Sequence, residues 1–400
     1  MNKEELDRLL ERMIKSADGI SDLLFVAGRP LQVEIEGELR PLVCEQSEPV
    51  LTSSRVEGLA GVIIDNNQRL QQDLKEHGSC DCGYTLRNIC RFRVNIYRQN
   101  GHYAMVLRHL KPLIPTFESL HLDPVFHEII KEKTGLIFVT GGTGMGKTTS
   151  IAAMLNEINQ TRDVHIITLE DPIEFLFTPL KSTFSQRELG LDFYNYRDGM
   201  RAALRQAPKI IFIGEIRDRE TMEIVLNAGE TGHLVFSTLH TTSASKTINR
   251  ILGIFTRDEE DQVRERLAGS MRYIISQRLV PSNSGGRLLV TELVGSNLRS
   301  REAILLGENQ ESRNLEEIIE AGSMAGWHTF EQSLLKAYEQ DLISEETALL
   351  YCLNRMKMQQ HMDILSLKKP RKSAHHDPMF ASLKMEEEQK ADKLRSKLKR

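Results

Sequence analysis

No apolar run in this chain approaches the ~18–20 residues a membrane-spanning helix needs. The N-terminal stretch MNKEELDRLLERMIKSADG is charged and helical in pattern, without the apolar centre of a signal peptide. The expectation is a protein of the cytosolic side. Cysteine is sparse: Cys44, Cys80, Cys82, Cys90 and Cys352 form no C-x-x-C pair and no regular spacing. That argues against a disulfide framework. Cys80-Asp81-Cys82, with Cys90 and His77 nearby, reads as unpaired thiols around a turn rather than as a metal site. Neither charge dominates: 52 Lys and Arg face 56 Asp and Glu, a net charge of −4. The sequence therefore carries no global electrostatic footprint for nucleic acid. It also lacks an internal repeat and a guanine-reading N-K-x-D motif.

What is present is ordinary globular material, 40% hydrophobic and 27% charged over 400 residues. Residues 1–18 read as an amphipathic helix with Leu6, Leu9, Leu10 and Met13 on one side. Short strand-like runs follow, with a hairpin at Glu36-Gly37-Glu38, then a helical stretch over about 55–76 and three further strands. Residues 1–108 are thus expected to form a small α+β unit. A linker over 109–122 contains Pro112 and Pro115. From a helix at 123–133 onward, strands and helices alternate to about Gly295, which predicts a mainly parallel sheet with helices on both faces. Residues 300–353 are helical in pattern, closing a unit at 123–355. Residues 356–400 are expected to be a charged tail without fixed structure.

The most informative run is Gly141-Gly142-Thr143-Gly144-Met145-Gly146-Lys147-Thr148, which fits G-x-x-x-x-G-K-[ST]. The apolar, β-prone Leu136-Ile137-Phe138-Val139-Thr140 precedes it, and a helix-prone segment opens at Thr149. Glycines let backbone N–H groups curl around a triphosphate, and a helix N-terminus adds partial positive charge. Lys147 is expected to reach the β- and γ-phosphates of ATP, and Thr148 to ligate Mg²⁺. A glycine turn without function is the competing reading, which the strand–loop–helix context disfavours.

Three later segments add the chemistry of hydrolysis. Ile166-Ile167-Thr168-Leu169-Glu170-Asp171-Pro172-Ile173-Glu174 ends an apolar strand in carboxylates. Hydrolysis needs such a group to orient or deprotonate water, and acids to hold hydrated Mg²⁺. Ile210-Ile211-Phe212-Ile213-Gly214-Glu215 has the form of a Walker B strand, with Gly214 where an Asp is usual. Glu215 alone stands at its tip, so its contact with Mg²⁺ is expected to run through water. His233 and His240 bracket another apolar strand, and His240 is placed to hydrogen-bond a γ-phosphate. The plainer reading of either histidine is structural. Arginines that could answer transition-state charge are Arg91, Arg93 and Arg108 early in the chain, and Arg187, Arg201 and Arg205 between the acidic segments.

In this order and spacing, GGTGMGKTT, ITLEDPIEF, IIFIGEIRD and TGHLVFSTLHTTSA resemble the secretion ATPase superfamily of bacterial secretion and type IV pilus motors. There they correspond to the Walker A, Asp box, Walker B and His box segments. SDLLFVAGRPLQVEIEGELRPL and RFRVNIYRQ resemble that family's PAS-like first domain. The likeness covers about residues 1–350 and is greatest to the pilus retraction branch, PilT and its paralogue PilU. GSNLRSREAILLGE departs from the AIRNLIRE-like segment of PilT proteins; LRQAPKIIFIGEIRDRETM leans towards PilU and STLHTTSASKTINRI towards PilT.

The resemblance implies an α/β fold in which a PAS-like α+β domain precedes a RecA-like P-loop ATPase domain with a helical C-terminal part. It implies a homohexameric ring at the cytoplasmic face of the inner membrane, using ATP and Mg²⁺, with an inner-membrane platform protein and a paralogous retraction ATPase as partners and no nucleic acid. Carried over by motif, Gly141, Gly142, Thr143, Gly144, Met145, Gly146, Lys147, Thr148 and Thr149 bind nucleotide. Glu170 and Glu215 are the two acids, one for water and one for hydrated Mg²⁺. His233 and His240 complete the site, and Arg91, Arg93 and Arg108 act between domains or subunits. The alternatives are a pilus assembly or type II secretion ATPase, and a catalytically weak accessory subunit of a retraction motor.

Overall fold

The computed structural model describes residues 2–35, 37–42, 50–87, 89–110, 113–308 and 313–368. Two sheets organise it. The first has six strands: β1 (Ile20–Val26), β2 (Gln32–Ile35), β3 (Glu38–Pro41), β4 (Ser79–Leu86), β5 (Cys90–Gln99) and β6 (His102–Leu110). They pair antiparallel in the order β3-β2-β1-β6-β5-β4. Side chains alternate faces along a strand, so β5 turns Phe92, Val94 and Ile96 into the core and leaves Arg91 and Arg93 on the other face. The helix Lys3–Ile14 closes the core with Leu6, Leu9, Leu10 and Met13. Cys80, Cys82 and Cys90 lie in the same core, and burial pushes the Cys82 thiol up to about 12.

The stretch 55–76, expected as one helix, is two: Ser53–Ile64 and Gln68–Glu76. Asp65 takes φ 44° and ψ −132°, outside the helical region, and its N–H closes the first helix on the Gly61 carbonyl. The side chain of Asn67 then accepts the Leu70 N–H at 3.2 Å and caps the second helix. Glu36 and the linker residues 111–112 lie outside the described residues; β2 and β3 pair on either side of Glu36 and Gly37, with Ile35 opposite Glu38.

The second sheet has seven strands: β7 (Gly135–Thr140), β8 (His165–Glu170), β9 (Thr183–Glu188), β10 (Ile210–Ile213), β11 (Leu234–Leu239), β12 (Met271–Pro281) and β13 (Arg287–Gly295), in the order β13-β12-β7-β11-β10-β8-β9. Every pair is parallel except β12 with β13. Strands β7, β10 and β11 are buried at every residue, as a sheet covered on both faces requires. The helix expected at 123–133 is the shorter Val125–Ile129.

The C-terminal part is helical. Phe330, Leu334, Met358 and Met362 pack with Val280, Leu288 and Val290 of the β12–β13 hairpin in a separate cluster. This corrects, over residues 356–368, the reading of 356–400 as an unstructured tail. Arg355–Lys368 is a helix, anchored by Met358 and Met362, each at most 2% exposed. Helices Phe330–Glu339 and Glu345–Tyr351 pack beside it, and together with the hairpin they make those methionines core. Residues 369–400 lie outside the described residues.

Candidate active site

Parallel strands end on the same edge of a sheet, and ligands gather there. The neighbours β7, β11, β10 and β8 are in near register, with Thr140 beside Leu239, Ser237 beside Ile213, and Ile213 beside Leu169. The segments that leave those four strands, 141–148, His240, Gly214-Glu215 and Glu170-Asp171, therefore emerge together. Side chains fix the alignment: the Thr238 hydroxyl donates to the Gly214 carbonyl at 2.6 Å, and the Ser237 hydroxyl to that of Ile213 at 3.0 Å.

The glycine loop opens the helix Lys147–Thr161. Gly146 takes φ 80° at its N-cap, with no side chain capping the first N–H groups. Gly141, at φ 149°, passes so close to β12 that a Cβ would lie 2.7 Å from the Gln277 carbonyl oxygen. Strand β12 buttresses the loop further: Met145 Sδ accepts the Leu279 N–H at 3.4 Å, and Gln277 Nε2 donates to the Ser150 hydroxyl at 2.7 Å. The Lys147 ammonium donates to the Gly141 and Gly142 carbonyls at 3.0 and 2.9 Å. Burial pulls its pKa down, against the opposing pull of Glu215 and Glu174.

Beside the loop lies a cleft of about 310 Å³. Thr143, Gly144, Lys147 and Thr148 line it from the loop, with Glu170, Glu215, His240 and Arg93. Gly141, Gly142, Met145 and Gly146 build the loop and Thr149 lies in the first turn of the helix; none of the five lines the cleft. Arg93 comes from β5, so the cleft is bounded by both sheets. Glu170 is 4% exposed, its Oε1 has no partner among the described residues, and burial raises its pKa to about 7. A buried carboxylate oxygen without a donor suits a water that must be oriented or deprotonated. Glu215 pairs with Arg217 and stands 3.7 Å from His240 Nε2. Burial and the Lys147 charge hold the His240 pKa down, which favours the neutral ring.

Six expected residues, His233, Arg91, Arg108, Arg187, Arg201 and Arg205, are not among those that line the cleft. His233 precedes β11 at the opposite edge; its Nδ1 contacts the Ala228 carbonyl at 3.2 Å, closing the helix Arg219–Glu230. The expectation that it completes the site is corrected: two residues bracketing a strand stand at opposite edges of the sheet. Arg91 is committed to Glu188, with 12% and 3% of the two side chains exposed. Arg108 pairs with Asp22 at 3.1 Å, although its charge, like that of Arg93, reaches Glu174. Arg187, bound to the Asp192 carbonyl at 2.7 Å, is likewise not among the residues of the cleft.

Sequence reasoning missed several lining residues. Glu174 and Asp171 share the acidic segment with Glu170; burial raises the pKa of both, against nearby arginines and, for Glu174, a hydrogen bond from Thr148. Their clustering was the available signal. Tyr196 had none. Its buried hydroxyl has no partner among the described residues and lies 3.4 Å from where a Cβ on Gly214 would be. Tyr196 thus borders the position of Gly214, where a Walker B aspartate is usual, without filling it.

The donor set suits a magnesium nucleotide: a lysine over a glycine cradle, a threonine at the second position of the helix, and acids at the facing strand ends. Comparison with known proteins agrees. The family model described as Type II/IV secretion system protein matches residues 90–314. The type IV pilus retraction ATPase PilT of Pseudomonas aeruginosa is 37% identical over 330 residues, 82% of this chain and 93% of that one. The type IV pilus ATPase PilU of the same organism is 35% identical over 348 residues, 87% of this chain and 88% of that one. A crystal structure of the pilus retraction motor PilT with bound ADP superposes with a TM-score of 0.79 at 39% identity, covering 90% of this chain and 99% of that one. A matching loop, the acids and histidine gathered beside it, and relatives alike over most of their length lead to one conclusion: the chain is an ATPase belonging to the Type II/IV secretion system protein family.

Proposed function

We propose that this ATPase is a ring-forming motor that powers type IV pilus retraction, and so twitching motility. The observation that carries the proposal is the gathering of Lys147, Glu170, Glu215 and His240 around one cleft that Arg93 enters from the other sheet. Hydrolysis at such a boundary converts a local charge change into movement between the two parts of the chain. Likeness to PilT and PilU over more than four-fifths of this chain supports retraction over assembly or general secretion.

Residues 1–108 act as a PAS-like unit, supported by the antiparallel order β3-β2-β1-β6-β5-β4 with helices packed on it. Residues from 123 form the RecA-like ATPase unit, which extends through the helix ending at Lys368. Lys147 and the loop N–H groups hold the β- and γ-phosphates. Thr148 and Glu215, which line the cleft, would hold Mg²⁺, Glu215 through water, and the ion would neutralise charge on the terminal phosphates. Glu170 orients the attacking water and takes its proton. Neutral His240 hydrogen-bonds the γ-phosphate, and Arg93 faces the charge that develops there.

Six copies form the ring, placed at the cytoplasmic face of the inner membrane. It acts on a platform protein there, alone or with a paralogous retraction ATPase. Sizing the purified chain with and without ATP and magnesium, together with phosphate release, tests the motor. The expected result is a ring that hydrolyses ATP and a silent Lys147→Ala control; a strictly monomeric, inactive chain overturns it. A deletion strain with surface pili that fail to retract supports retraction, whereas a bald strain identifies an assembly ATPase.

A further inference from the structure

Glu188, the last residue of β9, is 2% exposed and belongs to no motif. Its carboxylate is nonetheless a junction of three segments. Oε1 accepts the Gly83 N–H of β4 at 3.2 Å. Oε2 accepts the Ile173 N–H, in the acidic segment after β8, at 3.1 Å, and also the guanidinium of Arg91 from β5. Its own strand lies against Glu170: the two residues are in register, and the Leu189 N–H donates to the Glu170 carbonyl at 2.8 Å. Residues 188 and 189 thus pin both ends of the turn that carries Glu170 and Asp171.

The other half of the junction belongs to the first sheet. Gly83 leaves room for the pair, since a Cβ there would press on the Arg91 guanidinium and lie 2.8 Å from Glu188 Oε1, and one of the two would have to shift. Arg69, from the helix Gln68–Glu76, presses on Gly190 so closely that a Cβ at 190 would lie 2.1 Å from its Nε. Arg91 and Arg93 share one face of β5, and Arg93 stands opposite Arg108 on β6. Anchoring Arg91 therefore fixes where Arg93 enters the cleft.

A buried ion pair is a weak source of stability, because desolvation offsets its pairing, and fixing registry is the best-attested use of such pairs. We propose that Glu188 and Arg91 form a positioning clamp that locks the first sheet to the acidic segment, so that Arg93 and Glu170 are held in register for hydrolysis. Movement of the first sheet either carries the segment 171–174 with it or breaks the clamp. Arg91 is then a positioning residue rather than a catalytic one. The clamp rests on the ATPase reading for its effect on rate, but not for its existence.

The test uses the full chain with Glu188→Gln, Arg91→Gln and the double variant, whose neutral pair leaves no buried charge uncompensated. Amide exchange is followed at residues 171–174, and kcat, KM and the Kd of a fluorescent ADP analogue are measured beside it. Arg91→Gln, a change in the first sheet, is expected to speed exchange of the Ile173 amide at least about tenfold. Each single variant is expected to lower kcat by about 10–100-fold, the cost of misplacing groups by about 1 Å, with KM and Kd within about threefold. The double variant is expected to be no worse than the poorer single, as for residues that act as a unit. Unchanged exchange at Ile173 in Arg91→Gln, or losses in kcat that multiply in the double variant, overturns the clamp. A wild-type chain that hydrolyses no ATP overturns the motor reading, while the exchange measurement still decides the clamp. If Glu188→Gln fails to fold, Arg91→Lys with the same exchange measurement replaces it, and native protection there alongside native kcat counts against the proposal.

Discussion

In the second sheet, β7, β10 and β11 are buried at every position, whereas β5 of the first sheet buries only alternate residues. A strand covered on both faces can offer chemistry only where it ends. That is where the glycine loop, Glu215 and His240 lie. An antiparallel strand with one free face can offer side chains along its length, as β5 does with Arg91 and Arg93. The active cleft forms where strand ends of one sheet meet the free face of the other. The parallel sheet thus supplies the phosphate loop and the acids at its strand ends, and the antiparallel sheet supplies Arg93 from its free face.

The sharpest way to break that contrast is at Glu170, the deepest acid on the strand-end side. Glu170→Gln is expected to lower kcat by about 10²–10⁴-fold, the range for a general base, measured by phosphate release. Since burial lifts Glu170 to about 7, wild-type turnover is expected to fall about tenfold per unit as pH drops below that value. Its effect on stability has the opposite sense. The folded pKa lies above the ordinary 4.5, so stability from this group is full at lower pH and is lost as pH rises to about 7. Glu170→Gln is therefore expected to be more stable than wild type at pH 8, by up to about 3 kcal/mol, and not at pH 4.5, as thermal melts would show.

Lys147→Ala comes next: a loss of about 10²–10³ in kcat, the cost of removing one preorganised donor to developing charge. ADP should also cease to raise its melting temperature. On the antiparallel side the two arginines of β5 should separate. Arg91→Ala leaves Glu188 buried and unpaired, and is expected to cost about 3–5 kcal/mol in denaturant unfolding. Arg93→Ala is expected to melt within about 0.5 kcal/mol of wild type, yet to lose at least about tenfold in kcat. If both arginines prove equally silent towards stability, the distinction between anchored and free faces fails. The smallest effect is expected at His233, at the far edge of the sheet: His233→Ala should keep native kcat and lose about 1 kcal/mol or less, while His240→Ala loses activity.

Local chemistry was legible without coordinates because it lies in contiguous runs. The loop 141–148 states its own conformation through glycines at 141, 144 and 146, each of which takes positive φ. The apolar runs before Glu170, Glu215 and His240 announced buried strands, and all three are found so. Legibility failed where a residue's partner is distant in sequence. Arg91 and Arg93 look alike in RFRVN, but only the presence of Glu188, 97 residues on, makes one a clamp and leaves the other in the cleft. His233 and His240 look like a pair until the length of β11 separates them. Arg355–Lys368 reads as charged tail because its two buried methionines acquire a core only from the helices Phe330–Glu339 and Glu345–Tyr351 packed beside it and the cluster they share with the hairpin.

By itself, then, the order of residues determined the conformation of the phosphate loop, the identity of the strands and the kinds of acid and base present, since backbone sterics and hydrophobic period act over a few neighbours. Tertiary structure alone decided which of those groups meet. The chain runs from the loop to Glu170, Glu215 and His240, but the sheet sets their strands side by side as β7, β11, β10 and β8. That reordering, and the arrival of Arg93 from a second sheet, follow from packing between segments far apart in sequence, to which no local pattern points.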